Sequence, residues 1–121
     1  MSAITWQRIE GALVALAALV VAGYMQPGWP AWFWPLALLA PDLSALGYLA
    51  GPRIGAQLYN AGHLYAGGLL LALAGLLAGA PVVVAAGAVW LVHVGADRAL
   101  GYGLKHPTSF NDTHLGPVGR R

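Results

Sequence analysis

Polar residues along this chain are sparse and bunched, and they leave four apolar runs. The first extends from about Ile9 to Met25 and is closed by QPGWP; the second, from about Trp29 to Leu49, is closed by AGPR. The third runs from about Ile54 to Leu77 up to AGAP, and the fourth from Val82 to about Leu104 up to KHP. Gly and Pro end helices at such places, and roughly 20 residues suffice for one membrane crossing. No run alternates apolar and polar positions as a barrel strand would, and in hydrocarbon a helix satisfies its own backbone groups. The pattern predicts an all-α fold: a four-helix transmembrane bundle over residues 1–106, with spans at about 9–25, 29–49, 54–77 and 82–104. A polar cytoplasmic tail, residues 107–121, follows. Glu10 stands where a signal peptide would carry only positive charge, and no small-x-small cleavage site precedes Gln26, so the first run is a span.

Composition agrees with this pattern. Of 121 residues, 59% are hydrophobic and 8% charged, too few to coat a soluble domain. No Asp, Glu, Lys or Arg lies between Glu10 and Asp42, or between Arg53 and Asp97. The six basic residues are scattered, which excludes the basic stripe of a nucleic-acid binder. The absence of cysteine removes disulfides and thiolate metal sites. With four spans, Arg8, Arg53, Lys105, Arg120 and Arg121 share one side, and the turns QPGW and AGAP carry no charge. The positive-inside rule then places both termini in the cytoplasm of the inner (plasma) membrane, with Trp29, Trp32 and Trp34 at the outer interface and Trp6 at the inner. Gly and Ala faces on helices one, three and four suit close packing within the lipid bilayer, either inside one chain or in a homo-oligomer.

The remaining polar groups concentrate in HVGADRALGYGLKHPTSFNDTHLG, residues 93–116, which holds three of the four histidines and two of the four acids. Asp42 lies about 18 Å from Trp29 at 1.5 Å per residue, and His63 about 14 Å into the third span from the other side. His93 and Asp97 are i and i+4, on one helix face. An ionised Asp at such depth costs about 2.5–3.5 kcal/mol unless it faces protein, water or a cation. Asp42, His63, His93 and Asp97 on three spans therefore form a candidate metal shell for zinc, iron or manganese. Asp112 and His114 are candidates for a mobile acid or base, and Tyr59, Asn60, Arg98 and Tyr102 for substrate contacts. Each residue also has a structural reading: Asp42 as an N-cap after Pro41, Asp97 as a neighbour neutralising Arg98 or Lys105, either histidine as a hydrogen-bonded core residue. Gly101 and Gly103 end helix four better than they would cradle a phosphate.

The motifs APDLSALGYLAG, GAQLYNAGHLY, HVGADRALGYGLK and FNDTHLG together resemble a family of small integral membrane proteins designated domain of unknown function 4260, over roughly Trp29 to Gly116. That resemblance implies that these polar residues belong to one signature. A weaker similarity, in the order Pro-Asp, then His, then HxxxD, is to membrane-bound metal-dependent hydrolases. It implies a site at Asp42, His63, His93 and Asp97, with Ser44 where that family has a second acid and Asn60 with His63 where it has paired histidines. The reading is metal-dependent hydrolysis of a lipid-like substrate; the alternative is a non-enzymatic membrane protein, either a proton or ion pathway or an assembly subunit.

Overall fold

A computed structural model describes residues 1–118; Arg120 and Arg121, which the sequence assigns to the cytoplasmic side, lie outside the described residues. The fold is all-helical, and four helices are long and apolar enough to cross a membrane: Ala3–Met25, Phe33–Ala50, Pro52–Leu77 and Pro81–Leu100.

The first, α1 (Ala3–Met25), begins well before Ile9 because Ser2 caps it, its side chain accepting the Thr5 N–H at 3.2 Å. It ends where Gln26 turns left-handed ahead of Pro27. The last, α5 (Pro81–Leu100), stops short of Leu104. Gly101 takes φ 91°, its N–H donates to Arg98 O, and Tyr102 N–H donates to Asp97 O at 2.7 Å. This pair of bonds is the Schellman termination that a glycine at this position permits.

Both middle crossings are broken. The second is α2 (Phe33–Leu39) followed by a 3₁₀ helix over Ala40–Ala50. Pro41, lacking an N–H, sits at the start of the tighter segment. The third is α3 (Pro52–Gly62) and α4 (Tyr65–Leu77), separated by His63 and an extended Leu64. A 3₁₀ stretch inside a helix often marks a functional position, and non-helical backbone at membrane depth persists only inside protein or along a cavity.

Helix α5 is the axis, with α1 and α4 packed antiparallel on it. A Cβ on Gly68 would stand 2.8 Å from Gly87 O, and one on Gly95 would stand 2.6 Å from Gly11 O. The small-residue faces thus meet helices of the same chain. The start of α1 lies beside the end of α5, where Arg8 Nε donates to Ala99 O at 2.9 Å, so the N-terminus and the C-terminal segment share one end. The 3₁₀ helix pairs with α3 and reaches α5 at its near end.

Beyond α5 the chain returns as a small hairpin. Lys105 and Thr113 form an antiparallel bridge, His106 N–H donates to Asp112 O at 2.8 Å, and His114 N–H donates to Leu104 O at 3.0 Å. Lys105, Thr113 and Leu115 are buried. Asn60 on α3 clamps the hairpin, donating to Lys105 O at 2.8 Å and accepting Lys105 N–H at 2.6 Å. The His114 ring accepts Leu104 N–H at Nδ1, 2.8 Å away. Burial first, then the Arg98 charge, holds this imidazole below its ordinary range. Because the folded value lies below the unfolded one of about 6.5, the contribution of His114 is complete above that pH and is lost as pH falls toward the folded value. Amide exchange at Leu104, corrected for its intrinsic rate, should accelerate between about pH 7.5 and pH 5.5. A pH-independent protection factor would remove His114 as the cause.

Candidate metal centre

The two helix breaks meet each other beside α5. Gly62 makes this possible: a Cβ there would stand 2.8 Å from Ser44 Oγ, so only a glycine lets the end of α3 approach the 3₁₀ segment so closely. Breaking a helix frees carbonyl oxygens, and three at or beside the breaks accept from side chains. Ser44 Oγ donates to Pro41 O at 2.7 Å, Trp90 Nε1 to Gly62 O at 2.7 Å, and Arg98 Nη2 to His63 O at 2.6 Å.

Two more carbonyls orient the histidines. His63 Nδ1 lies 2.8 Å from Tyr59 O, and His93 Nδ1 lies 2.7 Å from Leu38 O. A carbonyl only accepts, so both Nδ1 atoms carry hydrogen and both Nε2 atoms are left with lone pairs in the neutral rings. Those two Nε2 atoms face each other at 3.1 Å. Asp42 Oδ1 stands 3.2 Å from His63 Nε2 and 3.1 Å from His93 Nε2, and Asp97 Oδ2 stands 3.5 and 3.3 Å from the same two atoms. The four donors lie within 4.8 Å of one another.

Four lone-pair-bearing atoms converging in this way repel unless positive charge sits among them. Protons held on the two carboxyl groups, each donated to one Nε2, relieve the repulsion pair by pair. A divalent ion satisfies all four. Tetrahedral coordination with bonds of about 2.0–2.2 Å needs donor–donor edges of about 3.3–3.6 Å; the five edges that include a histidine run from 3.1 to 3.5 Å, whereas the sixth, between the Asp42 and Asp97 oxygens, reaches 4.8 Å, so the set is open between the two carboxylates and does not close a tetrahedron. Imidazoles anchored through Nδ1–H to carbonyl oxygens are also the usual outer support of a metal-binding histidine. This His/Asp cluster is able to hold a metal ion. His63 and His93 are buried, whereas Asp97 and Asp42 are 20% and 52% exposed at their side chains, so the cluster opens on the Asp42 side.

The other predicted residues have definite places. Tyr59 stacks on His63, ring centres 3.8 Å apart. Asn60 holds the hairpin rather than the cluster. Arg98 is a strut, its second bond going from Nη1 to Tyr102 O at 3.0 Å, and the Tyr102 side chain is largely at the surface. Asp112 and His114 lie outside the four-donor set: Asp112 Oδ2 accepts the Thr108 hydroxyl and His114 accepts Leu104 N–H.

Two features were not legible as site components. Lys105, the only lysine of the chain, reads from sequence as one of the basic residues on the cytoplasmic side, yet it is 4% exposed with its ammonium 3.8 Å from the Phe110 ring centre and 4.8 Å from that of Tyr59. Burial pushes its ammonium below the ordinary lysine range, and Asp97 and Asp42 pull it back. The second is an apolar groove of about 470 Å³ that begins at Trp29 and Phe33, passes Leu71 and Trp90, and ends on Pro41 and Ser44 beside the cluster.

A family model covers residues 4–118, taking in every helix, all four cluster residues and the hairpin. The chain belongs to DUF4260, a domain of unknown function. No curated protein and no solved structure matches it. In this DUF4260 chain, the motifs APDLSALGYLAG, GAQLYNAGHLY and HVGADRALGYGLK supply the cluster, and the FNDTHLG motif closes the hairpin held by the second of these.

Proposed function

We propose that this protein is an integral inner-membrane metalloprotein, with both termini cytoplasmic, that hydrolyses an amphiphilic substrate at its His/Asp centre. One observation carries the metal: two Nε2 atoms opposed at 3.1 Å while both Nδ1 atoms are tied to carbonyl oxygens. The orientation is supported by Arg8, Arg53 and Lys105, which fall at the loop and chain ends grouped with the termini. His63, His93, Asp42 and Asp97 hold the ion, which when bound supplies Lewis acidity and lowers the pKa of a water ligand toward about 7. Asp42, the most exposed of the four, borders the opening through which water and the scissile group reach the centre. The groove accommodates the apolar part of the substrate: it carries one hydroxyl, that of Ser44, and no charged side chain. Asp112 and His114 each hold a bond within the hairpin, which supports a structural role for them there.

A second reading, an ion pathway, draws support from the two broken helices meeting at one buried site, a device that transporters use. The test is full-length protein loaded with zinc, manganese or iron. A panel of single-chain esters should be cleaved, with cleavage lost to a chelator and reduced by at least about 100-fold in Asp97→Asn. Protein that cleaves none of them but carries ions across liposomes, with the flux abolished in Asp42→Asn, would replace hydrolysis by the second reading.

A further inference from the structure

Charge around the centre is unevenly matched. The ion pairs among the described residues all run between His63 or His93 and Asp42 or Asp97; neither Arg98 nor Lys105 takes part, though both are about 95% buried. Arg98 is committed to two carbonyl oxygens. The Lys105 ammonium meets ring faces only, and among the described residues no oxygen accepts a hydrogen bond from it. A divalent ion on Asp42 and Asp97 neutralises the carboxylates, which leaves the two buried cations without compensating charge. Uncompensated charge at low dielectric is costly, so the loaded centre favours an anion, and a doubly charged one matches best. Lys105 is the cation with free donors for it. Tyr59 contacts both the ammonium and the His63 ring, so one aromatic ring links the cation to the ligand shell.

The groove constrains the rest of the molecule. From Phe33 to Ser44 it follows the chain for about 18 Å, at about 1.5 Å per residue along α2 and about 2.0 Å along the 3₁₀ helix, and its inner end abuts Pro41 and Gly62, the neighbours of Asp42 and His63. It is an apolar groove of about 470 Å³. An amphiphile whose anionic head lies at the cluster has its tail directed along this groove toward the far Trp29 end.

Resting on the metal reading above, we infer that the centre takes a single-chain amphiphile bearing a phosphate monoester, with the phosphate held between the ion and the Lys105 ammonium and the alkyl chain in the groove. In hydrolysis the water oxygen bonds to phosphorus and the P–O bond to the alkyl oxygen breaks. The alkoxide takes one proton of the water to become the alcohol, and inorganic phosphate keeps the other.

The test uses the full chain in dodecyl maltoside, first titrated with Co²⁺ so that the ligand-field bands report the loaded centre. Dodecyl phosphate should shift those bands and bind more tightly than inorganic phosphate by about tenfold or more, the groove supplying the difference. Lys105→Met should show the same cobalt spectrum, which reports an intact fold, and bind dodecyl phosphate about tenfold more weakly, the scale of one lost charge-assisted hydrogen bond. Lys105→Arg should recover most of that loss. Equal affinity for inorganic phosphate would assign the site to free phosphate and overturn the amphiphile; unmoved bands, or an unchanged affinity in Lys105→Met, would overturn phosphate recognition. Failure to take up cobalt would instead remove the metal centre, and this inference with it.

Discussion

His93→Ala is expected to weaken binding of a divalent ion by at least about 100-fold, measured by competition with a chromophoric chelator and by metal content after dialysis. Loss of an outer-shell partner alone typically costs 10–100-fold, and His93 is a direct donor with edges of 3.1, 3.1 and 3.3 Å to the other three. The substitution also releases Leu38 O, the acceptor that fixes the ring at the break in the second crossing. His106→Ala, outside the cluster, is the control and should bind normally. Asp97→Asn should fall between the two, since the amide keeps the shape of the side chain and loses the charge. Retention of full affinity in His93→Ala would mean that the convergence of these four side chains has another cause, such as protons shared within a hydrogen-bonded core.

The second large effect concerns the scaffold that brings the donors together. Gly95→Val should destabilise the protein by about 3 kcal/mol or more, the upper range for overpacking. Its new Cβ would stand 2.6 Å from Gly11 O and 2.8 Å from Ala15 N, and neither backbone atom can swing aside as a side-chain tip would. Relief requires moving α1 off α5, which breaks the Arg8 bond to Ala99 O and disturbs the turn of α5 that carries Asp97. Gly23→Ala, on α1, meets open space and should be neutral or slightly stabilising, because alanine favours the helix by up to about 1 kcal/mol over glycine. Thermal unfolding in detergent separates the two variants. An unchanged melting temperature in Gly95→Val would show that the close α1–α5 contact is not required.

These expectations bear on how the centre is built. Helix breaks at Pro41 and His63 cost backbone hydrogen bonds, and the donors that replace them are the side chains that shape the site: Ser44, Trp90, Arg98 and the two imidazoles. The same bonds therefore stabilise the irregular backbone and aim the ligands. Trp90 has no claim to chemistry in the sequence and Arg98 reads there as a substrate contact, yet each closes a carbonyl within one residue of His63.

The sequence by itself determined what depends on local order. Four apolar runs separated by Gly and Pro specify four helices, because partition into lipid and helix termination act over one turn or one span. The i, i+4 spacing of His93 and Asp97 places them on one face, and the rise per residue put Asp42 and His63 at compatible depths. Those regularities identified the four cluster residues. Only the tertiary structure decided their separations, the breaks at Pro41 and His63, the hairpin that engages Asp112 and His114, and the burial of Lys105 against Phe110. Those outcomes turn on how closely glycine backbones let separate helices approach and on which donor reaches each freed carbonyl. Both are properties of pairs distant in the chain, and no local pattern encodes them.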